Sequence, residues 1–179
     1  VDMGFLAELG CSPLTDASIP LPQGMESAES TLCWTPGRNM VMVAAAAAVA
    51  EATGSAHLYY GNNMEEEATA YGDNDLDFVH YFNRLLHYGT LRGVQITRAL
   101  ARLMKPEILV LATALGVPLD LTWSCDLGRS KGGLPDDRSP RRSDFRACGT
   151  CGCCTTRRNA YRRARMVDPQ EYGAPLQDK

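Results

Sequence analysis

Four cysteines lie within seven positions of the 179-residue chain, in the stretch ACGTCGCC. Cys148, Cys151 and Cys154 follow C-x2-C-x2-C spacing, with glycines in the turns between them. This spacing lets thiolates and backbone amides converge on one tetrahedral ion. A closed site needs a fourth ligand, and Cys125 is a better candidate than Cys153, which is adjacent to Cys154 and points elsewhere. The pattern therefore favours a structural zinc site.

Two other uses of these thiols stay open. An iron–sulfur cluster also takes closely spaced cysteines, and a Cys-x-x-Cys redox pair is the third option, although such a pair normally opens a helix directly after a strand. A disulfide framework is disfavoured. The start VDMGFLAELGCSPL lacks the basic region of a secretory signal, so we expect a cytoplasmic protein, and disulfides are rare in the cytosol.

The elements that must position these residues alternate between helix and strand. Apolar residues make up 45% and charged residues 22%, which is typical of a soluble globular domain. The longest apolar run, residues 40–50, is too short to span a membrane. The predicted elements after irregular residues 1–35 are an Ala-rich helix ending at Gly54, a buried strand within 56–61, a helix capped by Asp73 or Asn74 and stopped by Gly89, the strand GVQIT, and a helix from Lys105 to about Gly116. This order predicts an α/β fold with a parallel sheet.

A polar loop, GNNMEEEATAYGD, follows the first predicted strand at Gly61. Ligands gather at the carboxyl ends of parallel strands, so the loop is a candidate binding segment. An ordinary solvated loop is the alternative.

A basic segment covers residues 129–165, with eleven Lys or Arg against three Asp or Glu, a local balance of +8 in a chain of net charge −3. Such a segment can attract phosphates or nucleic acid, and a solvated insertion is the alternative. No Phe or Tyr ladder for base stacking runs through it. Anionic ligands stay open, and a nucleic-acid partner is not expected.

Four stretches in order carry a family resemblance. They are TPGRN (35–39), GNNMEEEATAYGDN (61–74), KPEILVLATALGVPLDLTWSC (105–125) and CGTCGCC (148–154). Together they resemble the C-terminal two-thirds of the 7-cyano-7-deazaguanine synthases, the QueC family, over about residues 1–167. The resemblance implies a Rossmann-like ATP-pyrophosphatase (PP-loop) fold with a parallel sheet, a C-terminal zinc knuckle and a helix. It also implies that the family's four zinc ligands correspond to Cys125, Cys148, Cys151 and Cys154.

The activity implied by the resemblance is an ATP-dependent amidation followed by dehydration. A 7-carboxy-7-deazaguanine carboxylate is adenylated, ammonia displaces AMP to give an amide, and a second activation leaves a nitrile. The expected cofactors are structural Zn2+ and ATP with Mg2+ as co-substrate. The expected assembly is a homodimer without membrane association.

The deazaguanine base is expected to bind near the polar loop, where carboxylates and a ring suit a guanine-like edge. Arg38 could face a phosphate or the substrate carboxylate, or merely pin its turn, and Lys105 could supply charge to ATP. No catalytic residue is assigned. The predicted substrate-binding residues are Arg38, Asn62, Glu65, Glu67, Tyr71 and Asp73, and the predicted ATP-binding residues are Arg38 and Lys105.

One family motif, the pyrophosphatase loop Ser-Gly-Gly-x-Asp-Ser, has no counterpart in these 179 residues. The string SKGGLPDDRS (130–139) imitates it but follows no apolar strand, and its prolines interrupt any later helix. We therefore expect an inserted loop over Gly128–Arg146, and a chain that is a fragment or has an unusual start, because it begins with Val. The predicted segments are a partial PP-loop-type domain (1–124), a zinc-binding segment (125–167) and a tail (168–179).

Three functions compete on this sequence. The first is a nitrile-forming ligase completed by a separate N-terminal segment that carries the PP-loop. The second is a catalytically inactive, zinc-stabilised remnant or scaffold of the family that needs a partner chain. The third, a zinc-containing nucleic-acid module, ranks last because base-stacking residues are missing.

Overall fold

The computed structural model describes residues 2–16, 18–24, 31–67, 71–127, 129–130 and 145–173. The chain divides into two compact units. Unit 1 comprises Val1–Ile19 and Ser30–Met104, and unit 2 comprises Pro20–Glu29 and Lys105–Lys179. The segment boundaries predicted at 124/125 and 167/168 stay predictions. Among the described residues, no helix has the length and apolar character needed to cross a membrane.

Unit 1 contains helices on a small parallel sheet. Its elements are α1 (Phe5–Glu8), α2 (Arg38–Thr53), β1 (His57–Tyr59), α3 (Met64–Glu67), α4 (Leu76–Gly89) and β2 (Gln95–Thr97), with 3-10 turns at Thr31–Cys33 and Gly72–Asn74. β1 pairs with β2 in parallel, with Leu58 opposite Ile96. The predicted mixture of helices with a parallel sheet is therefore confirmed.

Helix α2 forms over the Ala-rich stretch, as predicted, because alanine has the highest helix propensity. It ends at Gly54, whose φ of 78° lets the amide return to the carbonyls of Ala50 and Glu51. Its buried face packs against α4 and β2 to form the core of unit 1. The buried core residues are Val43, Ala47, Val79, Phe82, Leu86 and Ile96.

Strand β1 is less buried than predicted. Tyr59 is 76% exposed, and His57 is also exposed. Successive strand side chains point to opposite faces, and only Leu58 of this strand packs against the core. The prediction of a buried strand is therefore wrong for one of its faces.

The N-cap of helix α4 lies two residues after Asp73, the first of the two predicted caps. Asp75, not Asp73 or Asn74, is the N-cap, and its carboxylate accepts from the amide of Asp77. Residues 72–74 form a 3-10 turn instead, in which the Asp73 carboxylate has another partner. At the other end Gly89 remains helical, and the amide and hydroxyl of Thr90 both donate to the Leu86 carbonyl.

Unit 2 carries the four cysteines that are predicted to bind zinc. Its elements are α5 (Lys105–Ala114), a 3-10 turn at Leu119–Leu121, the antiparallel strands β3 (Arg129–Ser130) and β4 (Phe145–Arg146), and α6 (Gly152–Arg163). Helix α5 agrees with its sequence prediction, with Pro106 in its first turn. Two isolated bridges join Gln23 to Cys151 and Ala147 to Tyr172.

Candidate functional site

The structure brings the four predicted cysteines of unit 2 together. The sulfurs of Cys125, Cys148, Cys151 and Cys154 all lie within 4.8 Å of one another. The Sγ atoms of Cys148 and Cys154 are 3.8 Å apart. A tetrahedron with zinc–sulfur bonds of about 2.3 Å has sulfur–sulfur edges of about 3.8 Å. Cys153 is exposed and lies outside this cysteine cluster, so the cluster can hold a metal ion such as zinc.

Backbone amides converge on the same sulfurs. The Cys125 sulfur accepts from the amide of Cys148 at 3.3 Å. The Cys148 sulfur accepts from the amides of Thr150 and Cys151 at 3.4 and 3.3 Å, and the Cys151 sulfur accepts from that of Cys154 at 3.5 Å. Donors of this kind favour thiolates over thiols. A metal ligand must be a thiolate, so the donor set fits a thiolate-bound metal.

A hydrogen bond between two of the thiols also favours a thiolate in the cysteine cluster. The Cys154 side chain donates a hydrogen bond to Cys151, which holds the pKa of Cys151 well below its usual range and raises that of Cys154. The amide of Asp126 further lowers the pKa of Cys151. One buried negative charge is therefore stabilised within the cluster by its own geometry.

The start of α6 is built to hold the cluster. Cys151 is the N-cap, and the next residue, Gly152, is the first helical residue. A Cβ atom at position 152 would lie 2.9 Å from the carbonyl oxygen of Gly24. Glycine is therefore required there, because it lets the 20–24 segment pack against the turn and lets Gly24 donate to the Thr150 carbonyl at 3.1 Å.

A second group of interacting polar side chains lies in unit 1, where β1 and β2 end. Tyr60 directly follows β1 and Arg98 directly follows β2, and the start of α2 and the 72–74 turn supply the other members. We call this group the polar cluster; it consists of Asn39, Tyr60, Asn62, Asp73, Asn74 and Arg98.

Asn62 is the centre of one half of the polar cluster and is 4% exposed. Its amide nitrogen donates to the Asn74 carbonyl at 2.8 Å, and its oxygen accepts from Arg98 Nε at 3.0 Å. Arg98 Nη2 also lies 3.4 Å from the Asn74 carbonyl. These bonds join the end of β2 to the polar loop, so that the loop has a defined backbone path.

Asp73 is the centre of the other half. Its Oδ2 accepts from Asn39 Nδ2 at 2.8 Å, and its backbone carbonyl accepts from the Tyr60 hydroxyl at 3.1 Å. Burial, followed by the Asp73 charge, raises the pKa of Tyr60 from 10.0 to about 12. Tyr60 therefore stays a proton donor at neutral pH, and Asp73 contacts both Asn39 and Tyr60.

Two features beside the polar cluster suit a planar, hydrogen-bonding ligand. Trp34 and Tyr71 stack, with ring centroids 5.5 Å apart and planes 20° apart. Thr35, next to Trp34, is 5% exposed, and its hydroxyl has no hydrogen-bond partner among the described residues. An orphaned buried hydroxyl calls for a partner, which a bound ligand can supply.

The predicted substrate residues are placed unequally. Asn62 and Asp73 are buried in the polar cluster, and the carbonyl of Tyr71 accepts from the amide of Asn74 in the 72–74 turn at 3.0 Å. Glu65 is half-buried in α3, and its amide donates to the Asn63 side chain at 3.0 Å. The remaining predicted substrate-binding residues are Arg38 and Glu67. Arg38 is the exposed first residue of α2, and the side chain of Glu67 lies outside the described part.

Lys105, predicted to bind ATP, is the first residue of α5 in unit 2. Its role stays a prediction. So does the inserted loop, because residues 131–144, which include most of SKGGLPDDRS, lie outside the described residues.

Sequence reasoning missed five residues of this region. Asn39 and Thr35 belong to the string TPGRN, whose arginine alone was singled out. Arg98 follows the predicted strand GVQIT, and the rule that ligands gather at strand ends could have found it. The other missed residues are Trp34 and Tyr60.

The basic segment is partly internal. Arg157 is only 8% exposed and pairs with Asp168 at 3.0 Å. Arg158 donates to the Gly149 carbonyl at 3.1 Å and lies over the Tyr172 ring. These two arginines therefore stabilise unit 2 rather than forming a solvated face.

Comparison with known proteins gives one consistent result. A family model described as queuosine biosynthesis protein QueC matches residues 1–165. Three similar relatives are each named 7-cyano-7-deazaguanine synthase. That of Methanococcus maripaludis strain C7 is 36% identical over 96% of this chain and 73% of the relative. That of Methanothermobacter thermautotrophicus is 34% identical over 96% and 73%, and that of Aliarcobacter butzleri is 31% identical over 96% and 69%.

The family match covers both units, from the polar cluster to the cysteine cluster. The two groups of residues that geometry singles out therefore both lie within the matched sequence. The chain belongs to the QueC family of queuosine biosynthesis proteins.

Proposed function

We propose that this chain acts in the ATP-dependent conversion of 7-carboxy-7-deazaguanine and ammonia to 7-cyano-7-deazaguanine. The observation that carries the proposal is the QueC match over residues 1–165, together with relatives above 30% identity that bear the synthase name. A Rossmann-like PP-loop fold belongs to the same proposal, and the parallel pairing of β1 with β2 is compatible with it.

The chemistry requires two activations of one carbon. A substrate carboxylate oxygen attacks the α-phosphorus of ATP, and pyrophosphate leaves. Ammonia then attacks the acyl carbon, and AMP and a proton leave to give the amide. The amide oxygen attacks a second ATP in the same way, with loss of pyrophosphate, and departure of AMP and of both protons of the amide nitrogen leaves the nitrile. Each step replaces a poor leaving group with a phosphate ester.

The polar cluster is the proposed place for the deazaguanine base. A guanine-like edge presents an N1–H and an exocyclic amine, and the carboxylate of the buried Asp73, which already accepts from Asn39 through Oδ2, is the proposed acceptor for them. The Trp34–Tyr71 pair offers an aromatic face, and the Thr35 hydroxyl offers one more polar contact. A buried carboxylate matched to two donors selects against bases that lack them.

The metal proposed for the cysteine cluster is zinc, held by the four thiolates. Because four protein ligands leave no open position, such an ion supplies folding energy and no Lewis-acid chemistry. Arg38 and Lys105 remain the proposed cationic contacts of ATP with its Mg2+. A homodimer remains the proposed assembly.

We expect these 179 residues alone to form no AMP from ATP and 7-carboxy-7-deazaguanine. Pyrophosphate release needs a ring of backbone amides around the phosphates, usually in a glycine-rich loop at a helix N-terminus. The sequence contains no Ser-Gly-Gly-x-Asp-Ser motif. The test measures AMP release by the purified chain, with and without an added segment of a relative that carries this motif.

AMP release only when the segment is present supports the ligase. AMP formation by the chain alone would mean that another segment binds the phosphates, and residues 130–139 would be the first candidate. The second candidate, an inactive zinc-stabilised scaffold, is favoured by the missing motif. It predicts that zinc and the deazaguanine bind while AMP stays at background even with the added segment.

A further inference from the structure

A buried ion-pair network in unit 2 is centred on Arg157. This residue lies one turn after Cys154 in α6 and is 8% exposed. Its Nε donates to both carboxylate oxygens of Asp168 at 3.0 and 3.1 Å. Its Nη2 donates to the Tyr161 hydroxyl at 3.3 Å. Burying an unpaired guanidinium is costly, so a charge placed here with this many partners indicates a specific role.

The remaining nitrogen of Arg157 reaches the segment that carries the first cysteine. Nη1 donates to the hydroxyl and the carbonyl of Thr122 at 2.9 and 3.3 Å. Thr122 precedes Cys125 by three residues. One side chain therefore ties α6 to the Cys125 segment and, through Asp168, to the chain that follows α6.

That following chain lies against the cysteine cluster. Asp168 accepts from the Tyr172 hydroxyl and from the amide of Gln170. The Tyr172 ring packs against the cluster, and the Arg158 guanidinium lies 4.5 Å from its centroid. We call residues 168–173 the strap.

The strap also holds the residue that precedes a ligand. Ala147, which is 1% exposed, donates to the Glu171 carbonyl at 3.2 Å and accepts from the amide of Gly173 at 2.8 Å. Cys148 follows directly. The strap and Arg157 thus contact every chain segment that supplies a thiol, although neither supplies one.

We propose that Arg157, Asp168 and Tyr172 form a clasp that pre-positions the four thiols and slows release of the metal. The inference rests on the metal site proposed above. Ordering the two chain segments that carry the thiols lowers the affinity for the metal, and pre-ordering these segments removes part of that loss. Arg157 lies within the family match, which ends at residue 165, and the strap follows it.

The test measures zinc release from the full chain to an excess of a chromogenic chelator. The variants are Arg157→Gln, Asp168→Asn and Tyr172→Phe. Arg162→Gln is the matched control, because Arg162 is an exposed residue of the same helix whose contact is with Asn159. Loss of outer-shell support typically costs about 10–100-fold in metal affinity. We expect release about tenfold faster or more for the first two variants, a smaller acceleration for Tyr172→Phe, and the wild-type rate for the control.

Two further measurements separate positioning from general stability. Cobalt-loaded Tyr172→Phe is expected to keep the visible bands of a tetrahedral four-thiolate site, while its metal leaves faster than the chain unfolds by circular dichroism. Arg157→Lys is expected not to restore slow release, because an ammonium cannot bridge Asp168 and Thr122 as the planar fork does.

The outcomes also separate this inference from the metal site itself. A wild-type chain that retains no zinc would defeat the proposed site. A wild-type chain that binds zinc, while folded Asp168→Asn and Tyr172→Phe release it at the wild-type rate, would overturn the clasp. These two variants decide the question if Arg157→Gln does not fold.

Discussion

The cysteine cluster of unit 2 and the polar cluster of unit 1 both contain buried residues, but they are assembled in opposite ways. Three of the four thiols come from seven consecutive residues, and neighbouring amides of the same turns donate to them. The polar cluster joins residues 12 to 36 positions apart, and protein groups satisfy most of its hydrogen bonds. The proposed zinc ion supplies the counter-charge in the first arrangement, whereas protein groups supply the partners in the second.

We infer from this difference that the cysteine cluster contributes mainly to stability and the polar cluster mainly to ligand binding. The cysteine cluster is the core of unit 2, so a metal there contributes to folding. Tyr60 of the polar cluster packs against the apolar core formed by α2, α4 and β2, and the other members of this cluster contribute polar side chains. Changes in it are therefore expected to alter ligand binding more than folding, and the following predictions test this contrast in order of decreasing effect.

Cys151→Ser is expected to have the largest effect, with loss of bound zinc and unfolding of unit 2. Structural zinc sites contribute on the order of 10 kcal/mol of apparent binding energy, and Cys151 is fully buried. Metal analysis and thermal unfolding check the result, with the exposed Cys153→Ser as control. A Cys151→Ser protein that lacks zinc and still unfolds at the wild-type temperature would contradict the assignment of stability to this cluster.

Asp73→Asn is expected to weaken binding of 7-carboxy-7-deazaguanine by about 10–100-fold, since a hydrogen bond to a charged group contributes about 1.5–3 kcal/mol. Zinc content should not change. Calorimetric titration measures binding, and Asp77→Asn, an exposed carboxylate at the start of α4, is the control. Equal affinities of the two variants for 7-carboxy-7-deazaguanine would mean that the base binds elsewhere. Tyr71→Ala and Glu67→Gln extend the test to the stacked ring and to the second predicted carboxylate.

Tyr60→Phe is expected to have the smallest effect, and it should change the pH dependence of stability only at alkaline pH. The pKa of Tyr60 rises from 10.0 to about 12 in the fold, so protonated Tyr60 stabilises the native state fully below about pH 10. This contribution disappears as the pH rises from about 10 to about 12. The variant should therefore lose less stability than wild type across this window.

Urea unfolding at several pH values measures the alkaline effect, and the exposed Tyr59→Phe is the control. An identical decline in wild type and Tyr60→Phe would show that the phenol contributes nothing. Because Tyr60 is only half-buried, the difference should be small beside that of Cys151→Ser.

The same contrast explains what the sequence could predict. Local signals were sufficient for α2, whose alanines and terminal glycine are contiguous, and for the thiol set, whose spacing is visible along the chain. The predicted N-cap of α4 was wrong because three successive Asp or Asn residues can each cap the helix. Asp73 instead accepts a hydrogen bond from Asn39, 34 positions away. Arg98 was missed for a similar reason: its partners are distant in sequence.

The bridge between Gln23 and Cys151 has a consequence for protein synthesis. The two residues are 128 positions apart, and the residues of unit 1 lie on both sides of the 20–24 segment in sequence. At roughly 5–20 residues per second, a ribosome needs on the order of ten seconds to deliver the partner of that segment. Unit 1 can be complete by then, so the nascent chain must hold Pro20–Gly24 unpaired beside a finished neighbour until the last cysteines emerge.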